Sequence, residues 1–406
     1  MSEDLSLYIH IPFCVKKCDY CDFLSAPAGP EVHKRYVRAL RHEIEFYGKE
    51  YGRSGLKARP AIRTIYIGGG TPSSIGPQYI AEIMETVYRC FDVAEDAEIS
   101  IECNPGTVTI HGTEIYKKCG INRISFGLQS ALDEELENLG RIHTYNDFLE
   151  SYQIARNAGF SNINIDIMTG LPYQNVDRIK KTLSRVVRLK PEHISCYSLI
   201  IEEGTPFYEK YAYEDELRKK GEKTYLLPDE DTEYEIYQFS RRYLIEHGYG
   251  QYEFSNYARA GRECRHNIVY WKRGRYLGLG LGAASLLNED STDFRTTNTK
   301  DLEEYLAAWE YRESISKLEK FPLAEARALS KKEGMEEFMF LGLRMNEGVS
   351  RADFYDIFGR DMTDVYGPVI DRQKELGNIL ERDNMVSLSE RGQEISNVVL
   401  AEFLLD

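Results

Sequence analysis

The stretch that decides the reading of this chain is Tyr8-Ile9-His10-Ile11-Pro12-Phe13-Cys14-Val15-Lys16-Lys17-Cys18-Asp19-Tyr20-Cys21. Its first half, Leu7 to Ile11, is a run of strand length bounded by Pro12. Its second half sets three thiols at C-x-x-x-C-x-x-C spacing directly past that strand. Eight cysteines in 406 residues are too few for a disulfide framework, and three crowded into one turn point to a metal centre. Three is the informative number. Structural zinc closes with four ligands, whereas an iron-sulfur cluster held by three cysteines leaves one iron open to a substrate or cofactor. Spacing alone leaves open a zinc site with a fourth ligand from His10, Asp19 or Asp22. Inert buried thiols fit poorly with Lys16, Lys17 and Asp19 among them, and the two lysines favour thiolate.

Outward from this stretch, up to about Pro206, one unit repeats: a short β-branched or alternating run, a turn rich in Gly, Pro or Asn, then a helical period. The strands read as Leu7 to Ile11, Thr64 to Ile67, Glu98 to Glu102, Arg123 to Phe126, Ile163 to Met168 and His193 to Leu199. Between them Tyr36, Leu40 and Ile44 recur at i+4, Pro77 opens a helix through Ile80, Ile83 and Val87, and Asn146 caps a helix ending at Gly159. Strands alternating with amphipathic helices imply parallel pairing through right-handed crossovers, with chemistry gathered at the strands' carboxyl ends.

After Pro206 the pattern stops, and the charged run Glu214 to Glu233 reads as a surface connection. A helix near Tyr234 to His247, strand-like runs at Gln251 to Tyr257 and Tyr276 to Leu281, and a helix near Leu302 to Tyr311 follow. From about Glu336 come three helices, a short alternating run at Met385 to Leu388 and a final helix, an order that resembles a winged helix. The expected division is therefore 1–206, 207–330 as an α/β extension, and 331–406. The last part carries 9 basic and 16 acidic residues, so packing or partner docking suits it better than DNA.

Composition narrows the classes further. With 42% hydrophobic and 29% charged residues and no apolar run of the roughly 20 residues a span needs, the chain reads as an ordinary globular protein. The start Met1-Ser2-Glu3-Asp4 lacks a basic-then-apolar signal, so a cytoplasmic location is expected. A formal charge of −15 is the wrong sign for neutralising phosphates, so nucleic acid is not an expected partner.

Further polar groups fall at or just past strand ends. Gly68-Gly69-Gly70-Thr71-Pro72 closes the second strand; Glu102 stands in IECNPG, Gln129 in SFGLQS, Arg141 in LGRIH and Asp166 in NIDIMTGLP. Each alone is an ordinary turn, cap or loop hydrogen-bonder. Together with the cysteine spacing they resemble the radical SAM superfamily, in the branch of the oxygen-independent coproporphyrinogen oxidases and the HemW-type haem chaperones. That resemblance implies a partial parallel, TIM-like (β/α)6 barrel, with Cys14, Cys18 and Cys21 holding a 4Fe-4S cluster. It implies Tyr8, Gly69 and Glu102 as contacts of S-adenosylmethionine on the cluster. Tyr20, Gly70, Thr71, Gln129, Arg141 and Asp166 correspond to residues around a second such molecule in the oxidase branch. In this chemistry one electron from the cluster breaks a sulfonium carbon-sulfur bond and leaves a 5′-deoxyadenosyl radical.

Three features separate the two branches. The oxidase has a further cysteine two residues after the third, where CDYCDF has Phe23, and it has an N-terminal extension where Cys14 here stands near the start. The run His266-Asn267-Ile268-Val269-Tyr270-Trp271 resembles the H-N-x-x-Y-W motif of the chaperone branch. There His266 reads as an axial ligand of haem iron, with Tyr270 and Trp271 as flat surface for a porphyrin; a packed core histidine is the plain alternative. Cys264 is a second candidate ligand that reads more simply as a small buried hydrophobe. The resemblance implies haem as cargo and haem-accepting proteins, membrane-bound ones among them, as partners. The oxidase activity is the alternative, and a radical enzyme acting on RNA or protein a third class that the charge disfavours. The remaining Cys90, Cys103, Cys119 and Cys196 read as core thiols, and YLGLGLGAAS as a Gly-rich strand and turn near the cofactor.

Overall fold

The computed structural model describes residues 4–52, 60–289, 292–311 and 322–405; the acidic start read at Met1 to Glu3 lies outside them. Six strands, β1 (Leu5–Ile11), β2 (Ala61–Gly69), β3 (Asp92–Cys103), β4 (Arg123–Gln129), β5 (Ile163–Thr169) and β6 (His193–Ser198), pair in parallel in chain order. This is the (β/α)6 arrangement expected. Successive side chains point to opposite faces. Ile9, Ile65, Ile101, Ile124, Ile165 and Ile194, all fully buried, belong to one apolar cluster with helix residues such as Leu40, Ile83 and Leu183. Their neighbours point to the opposite, inner face, where Thr64 bonds Ser6, Tyr66 bonds Glu102, and Ser125, Asn164 and Asp166 bond one another, with Tyr8 stacked on Tyr66. The barrel is therefore apolar outside its strands and polar within.

The sheet continues past both ends of this set. On β6 it adds the short antiparallel β8 (Asn256–Ala258) and β7 (Gly250–Gln251). On β1 it adds β9 (Tyr276–Leu279) in parallel, then antiparallel β10 (Ala284–Glu289), β11 (Thr292–Asn298) and β12 (Leu323–Leu329), making twelve strands. One core cluster runs from Leu5 to Trp309, so the segment after Pro206 shares the barrel's core. A second core, Met335 to Phe403, belongs to the last part. There the helix Lys331–Gly342, β13 (Val349–Ser350), helices Arg351–Phe358 and Met362–Glu375, and β14 (Ile379–Arg382) with β15 (Met385–Leu388) form helices on a three-stranded antiparallel sheet.

Two local expectations fail. The helix over Tyr145–Asn157 is capped by Thr144 in a capping box with Asp147, not by Asn146. The segment read as a surface connection holds most of the second half of a helix, Pro206–Lys219, and the start of another, Glu230–Glu246. Its charge hid it because two inward positions are acids. Glu214 accepts the backbone N–H groups of Tyr225 and Leu226 at 2.8 and 3.0 Å, and Asp215 pairs with Arg218 and Lys219 at 2.6 Å each.

Candidate functional site

The carboxyl ends of the parallel strands open on a cavity of about 410 Å³. Of the residues assigned to the cluster and to S-adenosylmethionine, all but Tyr8 line it; His266, Cys264, Tyr270 and Trp271 do not. The cysteine loop is fastened to the glycine turn through backbone: Gly70 N–H donates to Ile11 C=O at 2.9 Å and Thr71 N–H to Phe13 C=O at 2.7 Å. The glycines allow this approach. Gly69 has φ +114°, and a Cβ there would lie 2.6 Å from the His10 ring; a Cβ on Gly70 would lie 2.5 Å from the Phe13 carbonyl oxygen. Arg141 reaches back from the LGRIH turn to donate to Cys18 Sγ at 3.4 Å.

The three thiols are free, and they converge on one cavity. Burial pushes the Cys14 and Cys21 thiols up, and the hydrogen bond from Ser25 to Cys14 and the charge of Lys17 beside both oppose it. Iron would deprotonate them outright. The zinc alternative loses its histidine: His10 spends Nδ1 on the Tyr8 hydroxyl at 3.0 Å and Nε2 on the Leu24 carbonyl at 2.9 Å.

Beside the thiols lie two half-buried carboxylates and one half-buried guanidinium. Glu102 accepts the Gly69 N–H at 3.0 Å and the Tyr66 hydroxyl at 2.9 Å. Burial, then the charge of Asp166, pushes its pKa up to about 7. Asp166 accepts from Asn164 at 2.7 Å and Ser125 at 3.3 Å, and burial raises it as well. Burial opposes the Arg141 charge, but the Tyr20 hydroxyl and Cys18 outweigh it and raise its pKa. Its Nε has no partner, while its Nη2 bonds Gly127 C=O and Asn104. A buried donor left unpaired at a cavity wall is one that a ligand would satisfy. Gln129 sits at φ 70°, uncommon for a non-glycine residue, and accepts from Tyr197 at 2.9 Å. The cavity thus offers hydrogen-bond acceptors, a fixed cation and a thiolate anchor in one pocket, which is the donor set that a 4Fe-4S cluster bearing an amino-acid nucleoside needs.

Several wall residues escaped the sequence reading. Asn104 donates to Thr71 at 2.8 Å, and Cys103, a core thiol as expected, borders the cavity as well. Tyr197 lies on the inner face of β6. Asn104 follows Glu102 in the same strand-end motif, and that position was its signal. The Gly-rich run lies behind the cysteine loop: Gly280 backs onto His10, and its N–H donates to buried Glu43 at 2.8 Å, away from the cavity lining.

His266 departs most from expectation. It is 1% exposed, its Nδ1 lies 2.7 Å from Thr64 Oγ1 and its Nε2 2.9 Å from the Tyr270 hydroxyl. Neither nitrogen is free for iron. Cys264 is fully buried against Glu98, and burial pushes its thiol up to about 12, which agrees with its simpler reading as a small buried hydrophobe. Tyr8 sits behind the cavity, stacked on Tyr66 at 6.4 Å.

A strand-end cavity with three thiols, a glycine turn and a half-buried acceptor carboxylate defines a radical SAM protein, and the radical SAM superfamily model matches residues 8–186. The HemN C-terminal domain model matches residues 329–395. The chain is 34% identical over 400 residues to the heme chaperone HemW of Bacillus subtilis, covering 98% of this chain and 99% of that one. It is 34% identical over 405 residues to HemW of Escherichia coli, covering 99% and 98%. The chain belongs to the HemW family. Its fold is also that of coproporphyrinogen III oxidase (HemN) from Escherichia coli, with TM-score 0.80 at 22% identity over 99% of this chain and 90% of that one. Membership in the superfamily brings the 4Fe-4S cluster and S-adenosylmethionine as its cofactors.

Proposed function

We propose that this protein is a cytoplasmic haem chaperone that binds haem and passes it to acceptor proteins, membrane-bound ones among them. Full-length likeness to proteins named heme chaperone carries the reading. Among the described residues no helix is long and apolar enough to cross a membrane, so a membrane-bound acceptor would be met from outside the bilayer. In this reading Cys14, Cys18 and Cys21 hold the cluster, while Gly69 and Glu102, with Tyr8 behind them, hold S-adenosylmethionine. Tyr20, Gly70, Thr71, Gln129, Arg141 and Asp166 complete the wall. When bound, the cluster supplies one electron to the sulfonium; the chain's own groups orient that ligand and keep water from it. The division at residues 206 and 330 separates cluster site, sheet extension and docking part.

With His266 withdrawn, the face that suits haem is the cavity mouth. Phe23 and Ile200 line it and are 60% and 66% exposed, beside Lys16 and Lys17. Exposed apolar side chains next to cations complement a flat apolar ring with two carboxylates. The test is to offer the anaerobically reconstituted protein haem and coproporphyrinogen III separately. Stoichiometric haem binding with no conversion of the porphyrinogen is expected, and steady formation of protoporphyrinogen would replace this reading with the oxidase.

A further inference from the structure

Behind the cavity wall, out of contact with the cavity itself, stands a segment the cofactor motifs do not include. The helix Arg265–Trp271 packs against β2 and is hydrogen-bonded to Thr64 of β2 and Glu98 of β3. Its first turn is held by Glu98, whose carboxylate accepts the N–H groups of Arg265 and His266 at 3.2 Å each. From there His266 projects inward. Thr64 donates its hydroxyl to Ser6 at 2.8 Å, so the imidazole Nδ1–H must donate to Thr64 Oγ1. Nε2 is then the acceptor of the Tyr270 hydroxyl. With both nitrogens fixed, the ring lies flat on Tyr66 at 5.2 Å between centroids and 25° between planes. Tyr66 in turn donates to Glu102 Oε1, while Gly69 N–H occupies Oε2.

We propose that His266 is a positioning residue for S-adenosylmethionine: from behind the cofactor cavity it fixes the Tyr66 ring, and through it the Glu102 carboxylate in the cavity wall. The inference rests on the radical SAM reading of that cavity and reassigns the H-N-x-x-Y-W run from cargo to cofactor. The chain His266, Tyr66, Glu102 is continuous, and each link is a hydrogen bond or a stacked ring. A haem ligand would need Nε2 in the open, and the structure commits that atom to Tyr270. The outer end of the same helix is fastened to the last part of the chain, with Trp271 stacked by Arg344 at 4.6 Å and Lys272 paired with Glu347 at 2.7 Å. The helix is therefore held at both ends, as a positioning element must be.

The experiment uses the full-length, anaerobically reconstituted protein in wild-type form and as His266→Ala, His266→Gln and Tyr66→Phe. Iron content and thermal unfolding first establish which variants fold. S-adenosylmethionine affinity and the change it produces in the electron paramagnetic resonance signal of the reduced cluster are then read beside a haem titration. His266→Ala and Tyr66→Phe should each weaken S-adenosylmethionine binding by about tenfold, the scale of one net hydrogen bond, and reduce the spectral change. The double variant should be no worse than either single, because the two act in series. His266→Gln, whose amide can donate to Thr64 and accept from Tyr270, should recover much of the loss. Haem affinity should stay at the wild-type level throughout. If His266→Ala does not fold, Tyr66→Phe with His266→Gln decides the matter. Wild-type cofactor binding and spectrum in a folded Tyr66→Phe or His266→Ala protein would overturn the proposal, as would selective loss of haem. Absence of any S-adenosylmethionine response in the wild-type protein would instead refute the radical SAM reading itself.

Discussion

Replacing Glu102 by Gln tests the cofactor site at its most polar point. The carboxylate is half-buried at the cavity wall, accepts Gly69 N–H at 3.0 Å and Tyr66 O–H at 2.9 Å, and is pushed up to about 7 by burial and the charge of Asp166. A ligand amino group donating to it prefers the ionised form. With that pKa the ionised fraction rises from roughly 0.1 at pH 6 to roughly 0.9 at pH 8, so wild-type affinity for S-adenosylmethionine should tighten by nearly tenfold across that range. Glu102→Gln keeps the shape and removes the charge. It should lose a charge-assisted hydrogen bond of about 1.5–3 kcal/mol, some 10- to 100-fold in Kd at pH 8. The amino group of the ligand titrates too, but equally for both proteins, so the difference between them isolates Glu102. Equilibrium dialysis of labelled S-adenosylmethionine at pH 6, 7 and 8, normalised to iron content, reads both effects. A variant that binds as tightly as wild type at pH 8, or two proteins with the same pH slope, would refute the assignment.

Reconstitution should give about four irons and four sulfides per chain. Cys14→Ser, Cys18→Ser and Cys21→Ser should each abolish this by metal and sulfide analysis, whereas Cys103→Ser, which alters the wall but no anchor, should retain it. Phe23→Asp should weaken haem binding by about tenfold, as judged by Soret titration, through loss of apolar contact. Since Phe23 is exposed in the free protein, melting temperature and iron content should not change. Buried Glu43, held up to about 7 against an ordinary 4.5 by burial, stabilises the fold most when protonated, and that contribution fades as pH rises from 4.5 through 7. Between pH 5 and 8, urea unfolding of the wild-type protein should therefore show a loss roughly 2.5 kcal/mol larger than Glu43→Gln shows.

The six parallel strands were legible because each carries apolar residues at alternate positions and ends at a turn. What escaped notice lacked such a signal. In β12, Leu323-Ala324-Glu325-Ala326-Arg327-Ala328-Leu329 has one buried residue, so neither composition nor alternation separates it from loop. β11 is half-buried along most of its length and pairs on both sides, giving no polar and apolar faces to tell apart. The helix Pro206–Lys219 was masked by Glu214 and Asp215, two charged residues turned inward and neutralised by local donors that a one-dimensional reading does not see.

The cavity residues were readable for a different reason: strand ends in a parallel barrel converge, so polar groups placed there in sequence must meet in space. His266 fails this test, since it lies on a short helix whose facing the sequence leaves open. The strands nonetheless held a clue. Ser6, Thr64, Glu98, Arg123, Asn164 and His193 put polar groups at inner positions of otherwise apolar strands, on the amino-terminal side of the cofactor residues. A lumen lined in that way cannot close on an apolar plug, because every buried donor and acceptor needs a partner. Some segment must bring hydrogen-bonding side chains into it. His266 and Tyr270, one helical turn apart, face the same way and supply a donor and acceptors to that lumen. The same residue types would suit a haem face. What separates the two uses is that Thr64 and Tyr270 already take both ring nitrogens, which ties the histidine to the barrel's inner polar groups behind the cofactor cavity.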